Sequence, residues 1–140
     1  MRRAALAMAV GIALGAAGAI AAVHDEEPQS VKVLAAREIA EKLDGEEATA
    51  TAVEVTIEPG KAGVPHRHPG PAFGYVLEGE YEWGVDDQPA KVLKAGDTFY
   101  EPAGCLHRVS RNPGRVKTRL LAWVLHPRDA KDIAIPETER

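Results

Sequence analysis

The strongest signal in the chain is alternation with a period of two. Residues 48–57 read Ala-Thr-Ala-Thr-Ala-Val-Glu-Val-Thr-Ile, a Thr- and Val-rich run whose side chains exchange faces as a half-buried β-strand requires. Shorter runs of the same character cover residues 73–77, 81–85, 91–93, 98–101 and 107–110, and residues 118–125 form a longer apolar run. Turn-forming clusters separate them: Glu58-Pro59-Gly60, Glu78-Gly79, Asp86-Asp87-Gln88-Pro89, Lys94-Ala95-Gly96-Asp97 and Asn112-Pro113-Gly114. With a weaker edge strand at 31–34, this makes about eight strands with turns every ~8–12 residues, the spacing of an all-β sandwich, jelly roll or small barrel. Residues 36–43 have helical composition and predict a short helix, stopped by Asp44-Gly45.

The first 22 residues break the pattern. Arg2 and Arg3 precede an uncharged stretch, 4–22, made mostly of Ala and Gly, and Ala19-Ile20-Ala21 has the small-x-small form of a signal cleavage site. Residues 1–22 therefore predict a cleaved export signal and a periplasmic or secreted protein, with membrane contact only through an uncleaved signal. Cleavage after Ala21 would leave Ala22-Val23-His24 at the N-terminus, an amine–amide–imidazole set suited to square-planar Cu(II) or Ni(II). The rest divides into a linker, edge strand and short helix at 23–47, a barrel at 48–126 and a polar, loosely held tail at 127–140. A length of 140 residues implies one domain. The net charge of −4 gives no reason to expect a nucleic-acid partner. Cys105 is the single cysteine, so no intrachain disulfide supports the fold.

The candidate chemistry lies in two loops. His66 and His68 are two apart, so an extended strand points both imidazoles to one face. His107 lies in a second Gly- and Pro-rich segment, 96–112, and a closed barrel could bring it to the same place. Glu101 shares a strand face with Phe99; an inward face would set a carboxylate near His107 as a metal ligand or catalytic group, whereas at the mouth it would pair with Arg67 or Arg108. Phe73, Tyr75 and Phe99 are candidates for a substrate pocket, with plain core as the alternative. Arg67 and Arg108 should point away from the histidines. Cys105 is read as a small loop residue and His126 as a strand-end surface residue.

These residues carry a signature. Gly60, His66, His68 and Gly79 match G-x5-H-x-H-x3,4-E-x6-G, and Gly96, Pro102, Gly104 and His107 match G-x5-P-x-G-x2-H-x3-N, with the asparagine displaced by one to Asn112. In this the chain resembles the cupin superfamily, specifically its small single-domain members. The resemblance implies a double-stranded β-helix (a jelly-roll barrel) and a divalent ion on His66, His68 and His107, with Fe(II) favoured and Mn, Ni, Cu or Zn possible. It also shows a departure: the family's carboxylate falls on Ala72, which binds nothing, and Glu101 is the leading replacement. Three-histidine iron sites in this superfamily resemble those of thiol and diketone dioxygenases. The implied function is thus an oxygenase acting on a small organic molecule. A non-catalytic ligand- or metal-binding module and a non-redox isomerase are the alternatives. A homodimer paired through edge strands is a further expectation.

Overall fold

The computed structural model describes residues 27–138. The expected signal, with the Ala22-Val23-His24 site, lies outside them. Among the described residues ten strands run in chain order: β1 (Gln29–Leu43), β2 (Glu46–Ile57), β3 (His66–Arg67), β4 (Ala72–Glu78), β5 (Glu80–Val85), β6 (Lys91–Lys94), β7 (Thr98–Glu101), β8 (Leu106–Arg111), β9 (Thr118–Pro127) and β10 (Ile135–Pro136). They form two antiparallel five-stranded sheets, ordered β1-β2-β9-β4-β7 and β10-β3-β8-β5-β6. The all-β architecture expected from the alternation forms, as the double-stranded β-helix that the resemblance implies.

The expected helix at 36–43 does not form; these residues complete β1, paired with β2 from Gln29↔Ile57 to Leu43↔Glu46. Asp44 and Gly45 both have positive φ, 51° and 86°, and close the two strands as a tight hairpin rather than stopping a helix. Ala35, Ile39 and Leu43 are the less exposed residues of this stretch, four apart. That spacing serves one face of a helix and one face of a strand equally, and long-range pairing decided between them. Two register shifts, between Val33 and Ala35 and between Ile39 and Lys42, absorb the extra length of β1. Among the described residues there is no helix long and apolar enough to cross a membrane.

The inner faces of the two sheets meet in a core of Ile57, Val76, Tyr81 and Leu120, packed by Val55, Trp83, Leu93 and Phe99. Asn112 closes one end. It is fully buried, donates from Nδ2 to Ile57 O (2.9 Å) and Val116 O (2.8 Å), and accepts from Gly114 N (2.9 Å). The displaced asparagine of the second motif is thus a structural clamp between β2 and the β8–β9 loop. His126 is buried rather than on the surface: its Nε2 lies 2.9 Å from Thr51 Oγ1, because β9 continues through Pro127 beside β2. The tail is also better held than its polarity suggests. Ile135 and Pro136 pair with Arg67 and His66, and Arg67 Nε donates to Glu137 Oε2 at 3.0 Å.

Candidate metal centre

Strand register assembles the site. In the β3–β8 pair His66 stands directly opposite His107, and in the β4–β7 pair Ala72 stands directly opposite Glu101. His68 follows β3 by one residue. The Pro102–Cys105 turn carries the chain from β7 in one sheet to β8 in the other, so Glu101 and His107 face each other across the interior. One nitrogen from each of His66, His68 and His107 lies within 4.8 Å of the others.

Hydrogen bonds assign the tautomers. His66 Nδ1 lies 2.8 Å from Val64 O, and His68 Nδ1 lies 2.5 Å from Ile133 O. A carbonyl only accepts, so both Nδ1 atoms carry the proton and both Nε2 atoms present lone pairs when neutral. Those two Nε2 atoms are 3.2 Å apart. Tyr81 donates to Ser110 Oγ (3.1 Å), so its oxygen accepts from His107 Nε2 (3.1 Å), leaving His107 Nδ1 with a lone pair. Glu101, 1% exposed, sits beside all of this: Oε2 is 3.3 Å from His68 Nε2 and Oε1 is 3.3 Å from His107 Nδ1. Trp83 Nε1 donates to Glu101 Oε1 at 3.0 Å, holding the carboxylate from the opposite sheet.

The arrangement collects acceptors and few donors. Glu101 Oε2 and His107 Nδ1 are buried without a hydrogen-bond partner. Burial of lone pairs is costly, and without a metal the carboxylate gains a positive partner only when His68 takes up a proton on Nε2. A divalent cation relieves that cost, and the outer hydrogen bonds already orient each imidazole for it. The residues present therefore fit a divalent ion on His66, His68 and His107, with the Glu101 carboxylate beside it to offset its charge.

The titration behaviour of the metal-free site follows from the same contacts. Burial lowers the pKa of His66, against the Val64 carbonyl. Burial pushes His107 down to about 4. For His68 burial also disfavours the charge, but the Glu101 carboxylate and the Ile133 carbonyl outweigh it and the pKa rises. Burial would raise Glu101, yet His68, His107 and the Trp83 N–H outweigh it and hold the carboxyl below its usual range.

The sequence-predicted residues separate cleanly. Glu101 faces inward with the histidines; it does not pair with Arg67 or Arg108. Arg67 turns outward to Glu137 and Gly104 O, and Arg108 turns to the carbonyls of Asp86 and Gln88. Of the aromatic candidates, only Phe99 lines the cavity. Phe73 and Tyr75 are corrected: β4 turns Ala72, Gly74 and Val76 inward, so both rings lie on the outer face, 48% and 43% exposed, with Phe73 packed 5.1 Å from Tyr100. Phe99 reaches inward because Gly74 has no side chain; a Cβ there would fall 1.8 Å from the Phe99 ring. Sequence reasoning missed the supporting residues Tyr81, Ser110 and Ile133; Trp83 reads from the sequence only as a pocket or core aromatic, not as the donor that holds Glu101. Alternation places Tyr81 and Trp83 on one face, but only the sheet partners show that the face is interior. Nothing in the sequence pointed to the carbonyl of Ile133.

Comparison with known proteins agrees with this geometry. Residues 53–124 match the family model of the cupin domain. No curated protein matches. Oxalate oxidase in complex with the substrate analogue glycolate superposes with a TM-score of 0.55 and 25% identity over 69% of this chain and 50% of its own, so this chain spans half the length of that protein. An uncharacterized conserved protein with a double-stranded β-helix domain from Klebsiella pneumoniae gives a TM-score of 0.58 and 23% identity, over 79% of this chain and 85% of its own. DMSP lyase DddQ from Ruegeria pomeroyi DSS-3 gives a TM-score of 0.60 and 22% identity, over 91% of this chain and 62% of its own. With the family model spanning strands from both sheets and both histidine loops, the chain belongs to the cupin family.

Proposed function

We propose that this protein is a metal-dependent cupin oxygenase of dioxygenase-like type, acting on a small organic molecule bound beside an ion on His66, His68, His107 and Glu101. One observation carries the reading: two imidazoles are locked by backbone carbonyls into the tautomer that presents Nε2, and a buried carboxylate and a third imidazole beside them keep atoms without partners. A redox-active divalent ion, Fe(II) first among the candidates, would supply electron transfer to O2. The chain itself supplies the rest. Val64 O and Ile133 O orient His66 and His68, Tyr81 and Ser110 hold His107, and Trp83 holds Glu101. Oxalate oxidase, a structural relative with glycolate bound, supports small-molecule redox chemistry on this fold. The reading extends to residues 1–22 as an export signal that places the mature protein in the periplasm or outside the cell.

The test is the metal content of untagged mature protein beside a His66→Ala/His107→Ala double variant, followed by O2-electrode assays. About one equivalent of iron or another redox metal, lost in the variant, with metal-dependent O2 uptake on a substrate, is the expected result. One equivalent of zinc without O2 uptake would point to an isomerase or binding module. No metal in either protein after reconstitution would refute the proposal.

A further inference from the structure

The cavity over the histidines has a volume of about 390 Å³ and a composition that bears on its ligand. Val53 and Val55 from β2, Leu120, Ala122 and Val124 from β9, and Phe99 from β7 give it an apolar wall. No lysine or arginine among the described residues lines it. The nearby cations are engaged elsewhere: Arg67 with Glu137, Arg119 with Glu54 and Glu78, Arg111 with Glu82. Away from the histidines the wall offers uncharged Gln29, whose buried Oε1 has no partner, and Glu27, a further carboxylate.

Charge balance then limits the ligand. Three neutral imidazoles and the Glu101 carboxylate leave a divalent ion at +1, which one negative group neutralises. A second negative group would sit against apolar walls with no cation beside it, an arrangement that burial strongly disfavours. A polyhydroxylated body would lose more water than it regains, since beside the valine and leucine wall only Gln29 and Glu27 among the described residues offer side-chain acceptors away from the metal site. We infer that the site takes a monoanionic, bidentate small molecule with an apolar body, of the class of branched or aromatic 2-oxo acids, and discriminates against dianions and sugar acids. This rests on the metal reading above.

The test uses three probes on the full protein loaded with one equivalent of zinc, followed by calorimetric titration at neutral pH. The monoanion 4-methyl-2-oxopentanoate carries a bidentate head on a branched body; 2-oxoglutarate carries the same head on a charged body; oxalate is a dianion with no body. The branched acid binds, and both dianions bind at least ~100-fold more weakly. Ala122→Phe, which adds a ring to the apolar wall of the cavity without altering a histidine, weakens the branched acid at least ~10-fold while zinc content stays at one equivalent. The probe series on the unaltered protein stands whether or not that variant folds. Zinc uptake with 2-oxoglutarate or oxalate binding as tightly as the branched acid, or with none of the three bound, overturns the inference alone. Failure to take up zinc overturns the metal reading and this inference with it.

Discussion

Glu101→Gln is the most informative single change. It keeps side-chain volume and leaves an acceptor for the Trp83 N–H, which donates to Oε1 at 3.0 Å. What it removes is the charge beside three imidazoles, with Oε1 and Oε2 each 3.3 Å from a ring nitrogen. At an effective dielectric of ~20, unit charges about 4 Å apart interact by ~4 kcal/mol, and a doubly charged ion by about twice that. Burial of the carboxylate takes back several kcal/mol. A net loss of about 3 kcal/mol remains, or ~100-fold weaker binding of a divalent ion. Competition with a chromophoric chelator, using zinc as a redox-silent probe, measures it. Ala72 provides the control. It stands directly opposite Glu101, is 2% exposed and lines the cavity. Cross-strand partners have Cβ atoms about 5 Å apart, so Ala72→Glu added to Glu101→Gln returns a carboxylate to the same space and recovers at least ~10-fold in affinity. Zinc binding by Glu101→Gln within ~3-fold of the unaltered protein would show that the carboxylate does not compensate the ion, and the reasoning would fail.

Three further outcomes are expected. In the metal-free protein His107 is held at about 4 against 6.5 unfolded, so the unfolded state binds more protons and stability falls by roughly 3 kcal/mol as pH drops from 6.5 to 4. The raised His68 acts oppositely, its contribution being complete below 6.5 and lost as pH rises through its folded pKa, while that of Glu101 is complete above 4.5 and lost below its depressed pKa. Urea midpoints from pH 4 to 8 should peak near neutrality, and a flat profile would contradict the assigned burial. Gly74→Ala drives a methyl into the Phe99 ring and should cost about 1–3 kcal/mol by urea denaturation; unchanged stability would mean that Phe99 does not lie across β4. Cys105 is pushed up to about 11 by burial and by the carboxylates of Glu101 and Asp86, against Arg67. Iodoacetamide should therefore alkylate it ~100-fold more slowly than a free thiol at pH 7.5, with a rate still climbing above pH 9; a plateau near pH 8 would mark an activated thiol instead.

The strands of the barrel were legible because each carries its own record. Thr98–Glu101 reads as a strand from alternation and from the proline that follows it, and the structure keeps those bounds. Residues 36–43 read as a helix on composition; their apolar positions are four apart, a spacing that fits a helix and a strand alike, and only pairing with β2 separates the two. Asp44-Gly45 between two alternating runs was the available hairpin signal. Phe73 and Tyr75 read as pocket candidates because aromatic side chains on a strand suggest a buried face, yet both lie on the outer face of β4. The inward face of β4 was instead marked by its small residues, Ala72 and Gly74, which leave room for Phe99 and for the cavity.

The sequence by itself determined the fold class, the two histidine loops and the facing of His66 and His68, because strand periodicity and turn chemistry are local. It also determined that the family's carboxylate was missing at Ala72. Tertiary structure alone decided that Glu101, 29 positions later, occupies the space beside Ala72, since that depends on the register of β4 against β7. It alone decided that the polar tail returns to place the Ile133 carbonyl on His68, and that Trp83 reaches across from the other sheet. These are contacts between residues distant in the chain. No local pattern encodes them, because the free energy that selects them comes from burying both partners together.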